Sequence, residues 1–265
     1  MEMSAARRRM EIYQLLQKES SVAVNDLAER FHVSAMTIRR DLLFFEKQGF
    51  VTTSYGGAYL NTRTAIEPSF SVKSGQMTDR KRDIGYEASQ LIEDGDTVII
   101  DCGTTTLQIA RYIQEKKLTV ITNSWPVVQY LGSRPKIRLI LAPGEYNEVS
   151  AGTISGMTAE FFQNFRADKV FSGTHGCSLE YGTTVPEPED ALVKKALLHA
   201  GNRKYLLADH TKFGQTYLTR YADLSEFDCV ITDGGIPQTY YSKLEKVCKK
   251  IMTARQDAER REQKD

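Results

Sequence analysis

The sequence predicts an α/β protein in two parts, a small helical head ending in a hairpin and a larger unit built on a mostly parallel sheet. Three observations predict it. Helical apolar stripes fill the first sixty residues, short β-branched runs alternate with helical stretches from Thr97 onward, and the text between them loses both periods.

The length of 265 residues leaves room for a small domain joined to a medium one. With 41% hydrophobic and 26% charged residues a sizeable core is available, and disorder over most of the chain is excluded. Lys+Arg 35 against Asp+Glu 34 leave a formal charge of +1, so no global field draws the chain to nucleic acid or membrane. A polyanion partner therefore depends on a local patch. Cys102, Cys177, Cys229 and Cys248 are far apart and form no C-x-x-C pair, which argues against a disulfide framework and a zinc site; no metal is expected. Apolar runs such as Val98-Ile99-Ile100 are strand-length, and no charged segment followed by an apolar one opens the chain. A cytoplasmic protein without a membrane span is expected.

In the head, residues 1–60, Met10, Ile12, Tyr13, Leu15 and Leu16 have helical spacing. Leu27, Ala28 and Phe31 mark a second short helix, and Ile38, Leu42 and Phe45 the stripe of a third. Ser34 is placed to N-cap that third helix and Gly49 to end it as a C′ glycine. Two short strands, 50–53 and 58–60, flank Gly56-Gly57. Residues 61–77, with Thr, Ser, Pro68 and Gly75, read as a linker, and 78–252 as the second domain. There a helix is expected over 79–93 and strands over 97–101, 118–122, 137–141, 169–171, 205–208 and 229–232. Helices over 107–114, 157–165 and 191–200 lie between them, and 253–265 read as a polar tail. Buried parallel strands alternating with helices put a ligand cleft at the strands' carboxyl ends.

Val22 to Asp41 has the layout of a helix-turn-helix, with a tight connection at His32-Val33-Ser34. The major groove admits one helix, and side chains near that helix's start meet base edges. Ser34, Ala35, Met36, Thr37, Arg39 and Arg40 are the candidates, with Ile38 and Leu42 turned inward. Eight basic and seven acidic residues in the head give little net charge, but Arg7, Arg8 and Arg9 crowd one end and Arg39-Arg40 sit beside the turn. On these residues alone, a solvated face of a small helical domain is an equal reading.

In the second domain, Asp101-Cys102-Gly103-Thr104-Thr105-Thr106 follows a strand and opens a helix, so Gly103 permits the turn while amides and hydroxyls supply donors for an anion. Other strand ends add Asn123, Gly144, Gly173 and Gly176; Asp190 and Lys194 follow in a helix, and Lys212 after the fifth strand. Singly, each is more readily a cap or a loop than a site; together they suit a phosphate at one end and sugar hydroxyls at the other. No Walker-type loop or G-x-G-x-x-G is present, so no nucleotide or dinucleotide cofactor is expected.

Leu27-Ala28 through Phe31, Val33-Ser34, Thr37-Ile38-Arg39-Arg40-Asp41-Leu42, Glu46, Gly49 and Gly56-Gly57-Ala58 resemble the N-terminal winged helix of the DeoR family of bacterial transcriptional regulators. D-x-G-T-T from Asp101, T-N-S from Thr122, Gly173 with Gly176, K-K-A from Lys194 and A-D-H-T-K-F-G from Ala208 resemble that family's effector domain, in its order. The resemblance implies a winged helix-turn-helix joined to a mostly parallel sheet domain similar in fold to ribose-5-phosphate isomerase and coenzyme A transferases. It implies a sensor of phosphorylated sugars. The chain departs from the family pattern in three places. Thr53, Ser54 and Tyr55 stand where Arg and His usually precede Gly-Gly-Ala, so Arg8 and the Tyr55 hydroxyl are candidates for the backbone contacts. Asp190 replaces the usual Glu, and Gly176-Cys177-Ser178 replaces Gly-Ile-Asp.

These readings converge on a repressor of a carbohydrate-utilisation operon, binding double-stranded operator DNA as a homodimer or higher oligomer and modulated by a phosphorylated sugar. The alternative is a sugar-phosphate isomerase with an added helical domain, using Asp101, Asp190 and Lys212. Against it stands the missing acidic arrangement at Gly176-Cys177-Ser178.

Overall fold

The computed structural model describes residues 5–47, 51–60, 70–75 and 77–255. They fall into two compact units, Met1–Gln76 and Met77–Asp265.

The first unit runs α1 (Ala5–Glu19), β1 (Ser21–Ala23), α2 (Val24–Phe31), α3 (Ala35–Lys47), β2 (Val51–Thr53), β3 (Gly57–Leu60) and α4 (Phe70–Gly75). The stripes read from the sequence close on one another: Ile12 and Leu16, Leu27 and Phe31, and Ile38, Leu42 and Phe45 form one buried cluster with Val51 and Ala58 of the hairpin. His32, in the left-handed region at φ 52°, ends α2 and turns the chain into α3. The hairpin is part of a three-stranded antiparallel sheet of order β1-β3-β2. β1 is not apparent in the sequence. It pairs because Gly57 lets two backbones meet; a Cβ there would lie 2.0 Å from the Val22 carbonyl oxygen.

The second unit runs α5 (Thr78–Gln90), β4 (Thr97–Ile100), a 3-10 turn (Thr106–Arg111), β5 (Leu118–Thr122), α6 (Trp125–Leu131), β6 (Ile137–Leu141), β7 (Tyr146–Asn147), β8 (Gly152–Thr153) and α7 (Gly156–Gln163). It continues with β9 (Ala167–Gly173), β10 (Gly176–Ser178), β11 (Gly182–Val185), α8 (Pro188–His199), β12 (Gly201–Leu207) and a 3-10 turn (His210–Lys212). The last elements are β13 (Thr219–Ala222), a 3-10 turn (Leu224–Glu226), β14 (Cys229–Thr232), α9 (Gln238–Leu244) and β15 (Ile251–Thr253). Seven strands form one sheet of order β15-β14-β12-β9-β4-β5-β6, parallel at every pairing.

Alternation along the strands feeds two cores. Ile99, Val170, Leu206 and Val230 pack on one face with Phe162, Val193 and Leu197 of α7 and α8. Val98, Ile100, Phe171, Leu207 and Ile231 pack on the other with Ile84, Ile109 and Val127. A sheet buried on both faces can expose a ligand site only at its ends, which is why the loops after the strands matter.

Some expectations need correction. The expected linker contains α4, a six-residue helix that approaches α1 and is too short to show a period. The expected tail starts too early, since Thr253 ends β15 and Ala254 is buried. The segment expected as an α-helix over 107–114 is a 3-10 turn over Thr106–Arg111. Gln108 explains it: its side-chain Nε2 takes the Thr104 carbonyl at 3.0 Å, the acceptor its own amide would use in an α-helix, and the amide bonds Thr105 O at 3.1 Å. Gly49, Phe50, Pro68 and residues 256–265 lie outside the described residues.

Candidate functional site

In the head, Ser34 caps α3 by accepting from the Thr37 amide at 3.1 Å. Ile38 and Leu42 face the core, so Ser34, Met36, Arg39 and Arg40 are left exposed, with Ala35 and Thr37 half-buried. Neither Arg39 nor Arg40 makes an ion pair or hydrogen bond to a described residue. Tyr55 stands fully exposed at the hairpin tip. Thr53, one of the departures from the family pattern, ties the wing to α3: its amide donates to Glu46 Oε1 at 2.8 Å and its hydroxyl to the same oxygen. These bonds, the hydroxyl's first, hold the Glu46 carboxyl below its ordinary range.

Arg8 does not fit the role expected of it. It is buried, and its Nε donates to Asp41 Oδ2 at 2.7 Å. Arg9 donates to Asp41 Oδ1 at 2.7 Å and stacks on Phe44. The neighbouring Arg7 is exposed but pairs with Glu11. The cluster that looked like a DNA-facing patch is mostly a tie between α1 and α3, because a carboxylate on the inner face of α3 draws the guanidinia inward.

In the second unit the carboxyl ends of β4, β5, β6, β9 and β12 bring together the loop 101–106, Asn123, Gly144, Gly173 and Lys212. Asp101 is completely buried, and its Oδ2 accepts from Gly173 N at 3.0 Å, Ser172 Oγ at 3.2 Å and Lys194 Nζ at 2.5 Å. Asp190 lies 3.8 Å from the same ammonium. Burial works against the charge on Lys194, but Asp101 and then Asp190 outweigh it and raise the pKa well above the ordinary lysine value. Tyr221 seals the cluster, donating to Gly173 O at 2.8 Å; burial pushes its hydroxyl up to about 12.

Asp101, Asp190 and Lys194, expected to touch a ligand, are thus a closed frame beneath the loop. Asn123 is also committed: its Oδ1 accepts from Cys102 N at 3.0 Å and its Nδ2 donates to Thr153 O at 3.0 Å. Thr106 Oγ1 lies 2.8 Å from the Asp101 carbonyl. Gly176 is a packing glycine, since a Cβ there would lie 2.6 Å from Gln215 O. At Gly144, φ is +145° and a Cβ would lie 2.0 Å from Thr158 Oγ1. What the frame leaves unused is the amides of Gly103, Thr104 and Thr105 and the hydroxyls of Thr104 and Thr105, which make no hydrogen bond to described residues. Amides and hydroxyls left without a partner, here on the buried Thr104 and Thr105, are donors that an anion can take up.

A second cluster lies at this edge, where His210, by itself readable as a structurally satisfied histidine, meets Asp233 and Arg80. Its signal was weak: one His after β12 and one Asp after β14, far apart in the chain. Among the described residues no His, Cys, Asp and Glu cluster could hold a metal ion, and no helix is long and apolar enough to cross a membrane.

Two family models match the two units. The DeoR-like helix-turn-helix domain matches residues 8–64, and the DeoR C terminal sensor domain matches residues 76–234. The chain belongs to the DeoR family. It is 34% identical over 233 residues, 87% of each protein, to a putative aga operon transcriptional repressor of Escherichia coli O157:H7. To the lactose phosphotransferase system repressor of Staphylococcus epidermidis it is 33% identical, over 85% of this chain and 90% of that one. Ribose 5-phosphate isomerase A of Methanocaldococcus jannaschii aligns with 51% of this chain and 54% of its own at 16% identity and a TM-score of 0.38. As a DeoR-family member the chain is a DNA-binding transcriptional regulator and not an enzyme. The isomerase alternative also loses its chemistry, because Asp101 is sealed away and Cys177 is a buried residue of β10.

Proposed function

We propose that this DeoR-family protein represses a carbohydrate-utilisation operon and that a phosphorylated sugar at the carboxyl edge of the sheet modulates its grip on operator DNA. The observation that carries this reading is the presence, in one chain, of two arginines on a capped helix and of a set of amides and hydroxyls after β4, neither of which bonds to a described residue. The named relatives support it: one is named a putative aga operon transcriptional repressor, another a lactose phosphotransferase system repressor.

Ser34, Ala35, Met36, Thr37, Arg39 and Arg40 face the major groove, and Tyr55 reaches the backbone from the wing. Gly103, Thr104 and Thr105 hold the phosphate. Gly173, Lys212 and Gly144 border the sugar, while Asp101, Asp190, Lys194, Thr106, Gly176 and Asn123 hold the loops in register. The protein acts as a homodimer or higher oligomer, because such heads read two half-sites about one helical turn apart. An effector must bind the two DNA-affinity states unequally to shift them.

Thermal shift with a panel of sugar phosphates tests the cleft, since a ligand of the folded state raises Tm. Replacing Thr104 and Thr105 with Val removes that shift and leaves operator binding in gel shifts intact. Loss of operator binding with the ligand shift preserved would refute the assignment.

A further inference from the structure

His210 is locked in a way that leaves one polar atom over. Its backbone amide donates to Asp233 Oδ1 at 2.7 Å, and its ring Nδ1 lies 2.7 Å from Asp233 Oδ2. Asp233 is buried at the end of β14, and Arg80 of α5 lies 3.8 Å from the same Oδ2. On another side the ring rests on bare backbone: a Cβ at Gly235 would come within 2.4 Å of Nδ1. A carboxylate that accepts from Nδ1 fixes the tautomer, so in the neutral ring Nε2 is an acceptor. That atom makes no hydrogen bond to a described residue, and the side chain is 30% exposed.

We infer that His210 is a ligand-contacting residue whose Nε2 accepts a hydrogen bond from a hydroxyl of the sugar phosphate. This rests on the reading that the 103–105 loop holds the phosphate. In the sheet, β12 is two strands from β4, so His210 stands about 10 Å along the edge from the loop at the usual strand spacing. That is the reach of a pentose or hexose phosphate from its phosphorus to its far hydroxyls. A fixed acceptor selects a hydroxyl over a carboxylate or carbonyl at that end, because an unmatched acceptor pair in a half-buried site costs affinity. His210 therefore reads the sugar, and the loop reads the phosphate common to all such esters.

Two isosteric substitutions separate this role from a structural one. In His210→Asn the side-chain NH2 takes the place of Nδ1 and keeps the Asp233 bond, but nothing replaces Nε2. In His210→Gln the amide reaches the place of Nε2 and gives up the Asp233 bond. The full-length protein and both variants are titrated calorimetrically with inorganic phosphate and with a panel of pentose and hexose phosphates, and Tm is recorded. The expected result is that His210→Asn keeps its Tm and its phosphate affinity but loses about tenfold in affinity for the preferred sugar ester, the worth of one hydrogen bond. His210→Gln recovers part of that preference at a lower Tm. If His210→Asn retains the wild-type preference for the sugar ester over phosphate, the inference is overturned. If the wild type binds phosphate but prefers no sugar ester, the hydroxyl contact is overturned while the loop stands. If neither class binds, the phosphate loop falls and the contact falls with it.

Discussion

The two units each contain a buried ion cluster, and the two are built in opposite senses. In the head two arginines, Arg8 and Arg9, share one carboxylate, Asp41. In the sensor unit two carboxylates, Asp101 and Asp190, share one ammonium, Lys194. Both recruit the charges most conspicuous in the sequence and use them internally. What bonds to no described residue is less conspicuous: Arg39 and Arg40 on the outer face of α3, and three amides, two hydroxyls and one imidazole edge at the end of the sheet. Breaking a buried pair from one side leaves an uncompensated charge, so the clusters should be fragile while the outer groups should not.

The largest expected effect is at the sensor cluster. Lys194→Met strands two aspartates, with Asp101 Oδ1 already unbonded, and should cost about 3–5 kcal/mol of stability in urea melts of the full chain. Adding Asp101→Asn to that variant should recover part of the loss, since the two residues are in contact and their effects do not add. If the double variant is no more stable than the single, the frame is not held by charge.

The head sharpens the same contrast. Arg39→Ala or Arg40→Ala should weaken operator binding by about 1–3 kcal/mol where a base contact is lost, with Tm unchanged. Arg8→Ala should do the reverse, lowering Tm and leaving the DNA contacts of the folded head in place. Gel shifts paired with melts read both. Weakened DNA binding by folded Arg8→Ala would return that arginine to the interface.

These contrasts show what could be read from residues alone. The six strands expected in the second unit are present because their apolar runs feed the two cores of the sheet, and the stripe of Ile38, Leu42 and Phe45 identifies the third helix in the same way. The 3-10 turn was hidden because it turns on one side chain, Gln108, capturing one carbonyl. Arg8 was misplaced because sequence counts a charge without showing its partner, and Asp41 lies over thirty residues away. His210 with Asp233 was hidden for the same reason, as β12 and β14 meet only in the sheet.

The pH dependence should divide the units as well. In the sensor unit burial raises the Cys229 and Cys248 thiols to about 11 and the Tyr221 hydroxyl to about 12, and Lys194 is raised too. Groups with raised folded-state values lend stability that is complete below the unfolded pKa and is lost as pH climbs through the folded one. Sensor stability should therefore hold to near pH 9 and decline through about 12. Trp125, the single tryptophan, lies in this unit, so its fluorescence follows it alone. In the head, Glu46 is lowered, so its bond to Thr53 weakens on the acid side instead. A Cys229→Ala variant that moves the alkaline onset in no direction would remove the thiol from this account.

The smallest effect concerns salt. If every arginine of the head met the duplex, Arg7, Arg8, Arg9, Arg30, Arg39 and Arg40 would take part, whereas the structure leaves Arg30, near the end of α2, and Arg39 and Arg40 exposed and unpaired among described side chains. Each phosphate neutralised contributes about −0.9 to the slope of log affinity against log salt. With the two heads of the proposed dimer, three such cations each should give a slope of about −5, against about −11 if all six engaged. The exposed Tyr55 contributes to the wing without charge, so Tyr55→Phe should lower affinity by well under about 1 kcal/mol and leave the slope where it is. Tyr55→Arg should steepen the slope by about 2 for a pair of heads, since it adds a cation to each wing. A wild-type slope near the steeper value would mean that Asp41 gives up its arginines when DNA arrives, turning the tie between α1 and α3 into part of the interface.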